Sequence, residues 1–166
     1  MHRNSIARIT AGVLLAVAGS AQADTKSSNF TVSTSVAANC FVSATPLSFG
    51  TYTGDAAITS ESSVNVRCTK GAPFTLLLST GSGTYAQRLL KKDTDQLEYN
   101  LYLDDALTTR WGDGTDGTSA VSDTGDGLGV AQQITHTVYG ELVNSAANQA
   151  APEGPYSDTI TVTVDY

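Results

Sequence analysis

The sequence predicts an exported all-β domain, and three features carry that prediction. Apolar and polar residues alternate along most of the chain, turn-rich stretches separate the alternating runs, and only 15% of the residues are charged. Period-two alternation places apolar side chains on one face of a strand, whereas a helix would repeat every three to four residues. A charge content well below the roughly 25% of soluble domains, with a 40% hydrophobic fraction, argues for a packed core rather than disorder. The length of 166 residues fits one domain. Nine basic against sixteen acidic residues give a net charge of −7. That sign opposes binding to nucleic acid and to anionic membrane surfaces.

Residues 1–23 read as a signal peptide. Arg3 and Arg8 precede the apolar run Ile9–Ala18, and Ala21-Gln22-Ala23 supplies small residues for cleavage. The run is about half the ~20 residues needed to span a bilayer, so no membrane insertion is expected. Cleavage leaves 7 basic and 16 acidic residues, a net charge of −9. Cys40 and Cys68 are the only cysteines, and an even count in an exported chain reads as one disulfide. A metal pair is a poor rival, because the two lie 28 residues apart with no clustered histidine.

The first alternating run places Phe30, Val32, Val36, Ala38, Cys40, Val42 and Ala44 on even positions. It is too long for one ordinary strand, so it predicts two strands or one with a break. Val64, Val66 and Cys68 alternate next, followed by Phe74, Leu76 and Leu78. Then come Leu97, Tyr99, Leu101 and Leu103, the β-branched run Ile134–Leu142, and finally Ile160, Val162, Val164 and Tyr166. Ser79–Thr84 reads as a turn, Gly112–Gly129 as a long exposed loop or hairpin connection, Lys91-Lys92 as a solvated turn, and no helix is expected beyond the signal peptide. Six or seven short strands predict a β-sandwich. A sandwich closing on its last alternating run would leave an apolar groove and an unpaired edge. The segment Asp24–Ser35 could fill such a groove in a neighbouring copy or pair within its own domain, and alternation alone favours neither.

The ordered motifs of the chain resemble the spore coat protein U domain, found in subunits of Csu-type archaic chaperone–usher pili. They are Asn39-Cys40 with Val42-Ser43-Ala44, Leu47-x-Phe49-Gly50-x-Tyr52, and Val66-x-Cys68-x-x-Gly71-x-Pro73-Phe74. Further on stand Leu97-x-Tyr99-x-Leu101-Tyr102, Trp111-Gly112-Asp113-Gly114, Tyr139-Gly140 and Gly154-x-Tyr156-x-Asp158-Thr159. Glu141 departs from the pattern, where a basic residue is expected. The resemblance implies an incomplete immunoglobulin-like β-sandwich lacking its last strand, over residues 36–166, preceded by a donor-strand extension at 24–35. It implies a disulfide tying the first two strands. It also implies donor-strand plugs at Phe30, Val32, Thr34 and Val36, and an acceptor-groove edge at Ile160, Val162, Val164 and Tyr166.

By the same resemblance, the function is that of a structural subunit of a secreted pilus or fimbria that polymerises by donor-strand exchange and supports adhesion and biofilm formation. Its partners would be a periplasmic chaperone, an outer-membrane usher and neighbouring pilin subunits. It would travel through the periplasm to the cell surface and need no cofactor. The alternative is a self-complemented monomeric coat or carbohydrate-binding module.

Enzymatic chemistry finds little support. His136 is the one histidine left after cleavage, and no G-x-S-x-G elbow accompanies it. Asp113, Asp116, Asp123 and Asp126 sit among glycines, but their spacing does not fit an EF-hand loop, so a solvated turn is expected. Trp111 and the seven tyrosines could form a sugar-binding surface, although aromatics also fill sandwich cores.

Overall fold

The computed structural model describes residues 22–166, so the signal-peptide assignment lies almost wholly outside the described residues. Eight strands follow in order: β1 (Cys40–Ala44), β2 (Ile58–Cys68), β3 (Pro73–Leu78), β4 (Arg88–Lys92), β5 (Asp95–Tyr102), β6 (Val121–Thr124), β7 (Ile134–Leu142) and β8 (Val162–Asp165). They form two sheets, one ordered β1-β2-β7-β5-β4 and the other β6-β3-β8, with every pairing antiparallel. The sequence alternation sets which face of each sheet is buried. Val64, Val66 and Cys68 of β2, Phe74, Leu76 and Leu78 of β3, Leu97, Tyr99 and Leu101 of β5, and Val138 and Leu142 of β7 make the shared core with Trp111. These elements belong to one unit, Val36–Tyr166.

Several expectations need correction. The alternation from Phe30 to Ala44 yields a strand only over Cys40–Ala44, and residues 22–39 carry no regular secondary structure. Alternation prepares a strand, but a ladder also needs a partner, and only the β1 portion has one in β2. Lys91 and Lys92 are not a turn but the end of β4. The Lys91 N–H donates to the Ser157 carbonyl at 2.8 Å, and Ser157 N–H returns a bond at 3.1 Å. Gly112–Gly129 is not simply a loop, because it contains β6, whose four residues are too few for visible alternation. One α-helical turn, α1 (Ala146–Gln149), was also not expected.

Two buried polar side chains and one close-packed glycine hold the irregular parts. Arg88 is fully buried, with Nη1 donating to Asn100 Oδ1 at 2.7 Å, Nη2 to the carbonyls of Trp111 (2.7 Å) and Ser79 (2.9 Å), and Nε to Ser79 at 3.1 Å. It thereby joins β4 of one sheet to the end of β3 in the other. Burial lowers the guanidinium pKa, yet the group keeps its proton because four carbonyl contacts offset the lost water. Asn148 of α1 acts as a short piece of strand: its Oδ1 accepts from Glu98 N–H (2.7 Å) and its Nδ2 donates to the Glu98 carbonyl (2.9 Å). Gly140 of β7 is where Leu47 and Phe49 lie against the sheet. A Cβ there would meet Leu47 Cδ1 at 2.8 Å and Phe49 Cε1 at 3.1 Å, which accounts for the glycine of the Tyr139-Gly140 motif.

His136 occupies an inward position of β7, edge-on to Phe74 and Trp111, with Nε2 3.7 Å from the Asp123 carboxylate of β6 and no hydrogen-bond partner. It is a packed core-rim residue. Burial pushes its pKa down, and Asp123 only partly opposes this. The unfolded chain therefore binds more protons than the native one between the depressed native pKa and about 6.5. The stability contributed by neutral His136 is complete above pH 7 and is lost as the pH falls through about 6.5 toward the native value. Urea midpoints measured from pH 7.5 down to pH 5 are expected to fall, and His136→Gln is expected to flatten the dependence in that window.

Candidate functional site

The candidate site is the pair of sheet edges formed by β1 and β8, with the cleft between them. The side chains of Cys40 and Val42 in β1, and of Val162 and Val164 in β8, point inward and pack on the core, yet remain only partly buried. Ile160, just before β8, does the same. The same residues aim their backbones outward. Thr161 C=O accepts from Ser79 N–H at 3.0 Å, and Thr163 and Asp165 continue the pairing with Leu77 and Thr75. In an antiparallel ladder the N–H and C=O of one residue point the same way and alternate along the strand. Ile160, Val162 and Val164 therefore direct their backbone groups away from β3.

β1 repeats the arrangement. Thr45 N–H donates to the Ser63 carbonyl (3.0 Å), and Asn39 C=O accepts from Thr69 N–H (2.9 Å). The odd residues thus bond β2, while Cys40, Val42 and Ala44 face the open edge. The Cys40–Cys68 disulfide sits on this ladder, with the two Cα atoms 4.1 Å apart, as suits directly opposed residues that share no hydrogen bond. It ties the edge strand β1 to the interior strand β2.

Between the edges lies a cleft of about 320 Å³. Val64, Leu101 and Val138 form its floor, Ile160 and Val162 one wall, and Ala44, Pro46 and Leu47 the other. Asp158 sets the entry to β8: it accepts from Ser82 N–H (2.9 Å), Ser82 Oγ (2.8 Å) and Tyr99 Oη (2.6 Å). Burial, reinforced by the Asp158 carboxylate, holds the Tyr99 hydroxyl far above the usual phenol range, so it stays a donor. A second cleft of about 640 Å³ shares Leu47, Phe49, Leu90 and Asp158 with the first and runs on past Tyr52 and Tyr156. Tyr52 donates to Asn144 Oδ1 at 2.6 Å and Tyr156 to the Pro152 carbonyl at 2.8 Å, so both rings brace loops.

The structure distributes the expected site residues as follows. Val162 and Val164 lie on the open edge within β8, and Ile160 immediately before it. Tyr166 follows β8, stands 60% exposed, and lies beside Pro73 and Thr124, away from the cleft floor. Phe30, Val32 and Val36 are 87%, 83% and 81% exposed, and Thr34 is exposed with them. Residue-type reasoning did not single out the other edge at Val42 and Ala44, or the Asp158–Tyr99 bond. Both fall within the motifs quoted above, so the signal was present as pattern without a role. Asp113 spends its carboxylate on Thr115, accepting from its N–H (2.9 Å) and Oγ1 (2.6 Å), which makes it a turn-forming residue. Trp111 is wholly buried, with Nε1 directed at the Leu76 carbonyl 3.4 Å away, and so is a core residue. Glu141 accepts from Tyr102 Oη at 3.3 Å.

These features define an immunoglobulin-like antiparallel sandwich in which β1 and β8 bound a common cleft with unpaired edges. The chain belongs to the Spore Coat Protein U domain family, whose model matches residues 26–163. It is similar in structure to a chain in the crystal structure of a CsuC–CsuE chaperone–tip adhesion subunit pre-assembly complex from the archaic chaperone–usher Csu pili of Acinetobacter baumannii. The TM-score is 0.56 at 26% identity, over 79% of the present chain and 40% of that chain, so the present chain spans well under half of its length. No curated protein matches the chain.

The alternation of backbone direction has a direct readout. In the isolated, unpolymerised chain, the amide protons of Thr163 and Ser43 are expected to exchange slowly and those of Val162, Val164 and Val42 quickly. Uniform protection along β8 would show that its outer edge is already paired.

Proposed function

We propose that the chain is a non-enzymatic structural subunit of a secreted surface pilus that polymerises by donor-strand exchange. The observation that carries this reading is the double edge: β1 and β8 turn unpaired backbone outward and half-buried apolar side chains inward, on either side of one cleft. One extended segment laid between them would complete both ladders and fill the cleft at once. The segment 24–35 of another copy, with Val36, has the required pattern, with Phe30, Val32, Thr34 and Val36 on one alternating face. Burying three apolar plugs contributes about 1.5–3 kcal/mol each before the entropy of ordering the segment is subtracted.

Family membership supports the same reading, and so does the similarity to a chain from a chaperone–subunit complex. Before assembly, a periplasmic chaperone would lend a strand to the groove, and an outer-membrane usher would exchange it for the extension of the next subunit. Each addition leaves a fresh groove or a fresh extension, so the contact is head-to-tail and propagates into a fibre. Adhesion and biofilm formation belong to the whole pilus in this scheme, at the cell surface.

Deleting residues 24–35 tests the mechanism. The intact mature chain, exported alongside its chaperone and usher, is expected to give a ladder on an unheated denaturing gel that collapses to one band on boiling. The deletion is expected to abolish the ladder while leaving the Cys40–Cys68 bond formed. Ladders that survive the deletion would contradict donor-strand exchange through this segment.

A further inference from the structure

Two open edges on one cleft raise a question of specificity, because a segment attached three residues before β1 is also a candidate to fill its own groove. We propose that Thr69 is a positioning residue that keeps the extension out of its own groove and so directs it to a second copy; this rests on the reading above.

Thr69 follows β2 and stands opposite Asn39. Its N–H donates to the Asn39 carbonyl at 2.9 Å, adding one more rung to the β1–β2 ladder. Its side chain doubles the hold: Oγ1 accepts from Asn39 N–H at 3.0 Å and is 3.3 Å from the carbonyls of both Ala37 and Asn39, to either of which it can donate. Ala37–Asn39 is thus held on the line of β1. To lie along the open edge of β1, the preceding segment would have to reverse direction within those three residues.

The local sequence opposes that reversal. Tight hairpins need positive φ at a central residue, usually glycine, asparagine or aspartate. No glycine occurs between Gly19 and Gly50, and the only positive-φ non-glycine residues among those described are Asp93, Leu107 and Asp116. Asn39 is the one suitable residue type, and both of its backbone groups are engaged by Thr69.

β1 runs opposite to β2, the short Thr69–Ala72 connection reverses the chain into β3, and β3 runs opposite to β8, so β1 and β8 run in opposite directions. Any segment between them is antiparallel to one edge and parallel to the other. A hairpin from the amino terminus is limited to the orientation antiparallel to β1, whereas a segment from another copy can take either, and Thr69 holds the chain in the conformation that disfavours the hairpin.

The test uses the full mature chain with four variants: Thr69→Ser, Thr69→Val, Ala37→Asn/Ala38→Gly, and the last two combined. The fraction of subunit-sized protein is read by unheated gel and size exclusion, and its Val162 and Val164 amides by hydrogen exchange. Thr69→Ser keeps the hydroxyl and is expected to polymerise as the parent does. Thr69→Val is expected to raise the subunit-sized fraction on the order of fivefold, the worth of about one hydrogen bond. The combined variant, with a turn supplied and the clamp removed, is expected to be mainly subunit-sized with those amides protected. The double Ala variant, which leaves Thr69 intact, is expected to fall between the two.

A combined variant that polymerises like the parent would overturn the proposal. So would equal behaviour of Thr69→Ser and Thr69→Val, or subunit-sized protein whose Val162 and Val164 amides exchange freely. A parent chain that forms no polymer would instead count against the donor-strand reading itself.

Discussion

A β-strand whose side chains belong to a core cannot leave its backbone edge unpaired without consequence. Here β1 and β8 both do so, on the two sides of one cleft. The apolar contacts favour closing the gap between the sheets, while the unpaired N–H and C=O groups require a strand there. Both demands are met by one extended, alternating segment and by little else. A helix would offer no ladder, and a loose loop would offer neither ladder nor plugs. The rest of the molecule can be understood as holding these two edges on the two sides of the cleft.

The holding is done from the flanks. The disulfide fixes β1 to β2, so the outer strand cannot peel away without carrying an interior strand with it. Asp158, through Ser82 and Tyr99, fixes where β8 begins. Arg88 ties the sheets where β4 approaches the end of β3, and Asn148 seals α1 onto β5. The polar anchors Arg88, Asn148 and Asp158 are each matched to hydrogen-bond partners, the carbonyls and the carboxylate accepting and the N–H and O–H groups donating, while the edges are not. The open edge is therefore a local feature of an otherwise well-paired structure, and it is the part available to another chain.

Much of the sandwich was legible in the sequence because its core strands place apolar residues at every second position. Val64-x-Val66-x-Cys68, Phe74-x-Leu76-x-Leu78 and Leu97-x-Tyr99-x-Leu101 each declare a buried face, and each becomes a strand of the core. Legibility failed where pairing rather than pattern decides the outcome. Phe30–Ala38 alternates as well as any strand yet carries no ladder, whereas Lys91-Lys92 looks solvated yet is held as strand by Ser157. β6 is too short to show a period. Trp111 and His136, which residue type alone left open to binding or catalysis, are explained by packing. The candidate site was half legible as structure: the apolar row at Ile160, Val162 and Val164 is visible as alternation, but the matching edge of β1 appears only once the hydrogen-bond register is known. The Thr69 hydroxyl, a polar atom at a strand end, carries no sequence signal at all.

The most direct test of the strand-acceptor account is a mixed fibre. Unlabelled chain carrying a photo-crosslinking residue in place of Val32 would be assembled with isotopically heavy chain lacking it, and the linked peptides identified by mass. The account expects links from position 32 to the Ile160–Asp165 peptide of the heavy chain, joining two copies across the β8 edge. Links confined to a single copy, or links that avoid β8 altogether, would contradict it.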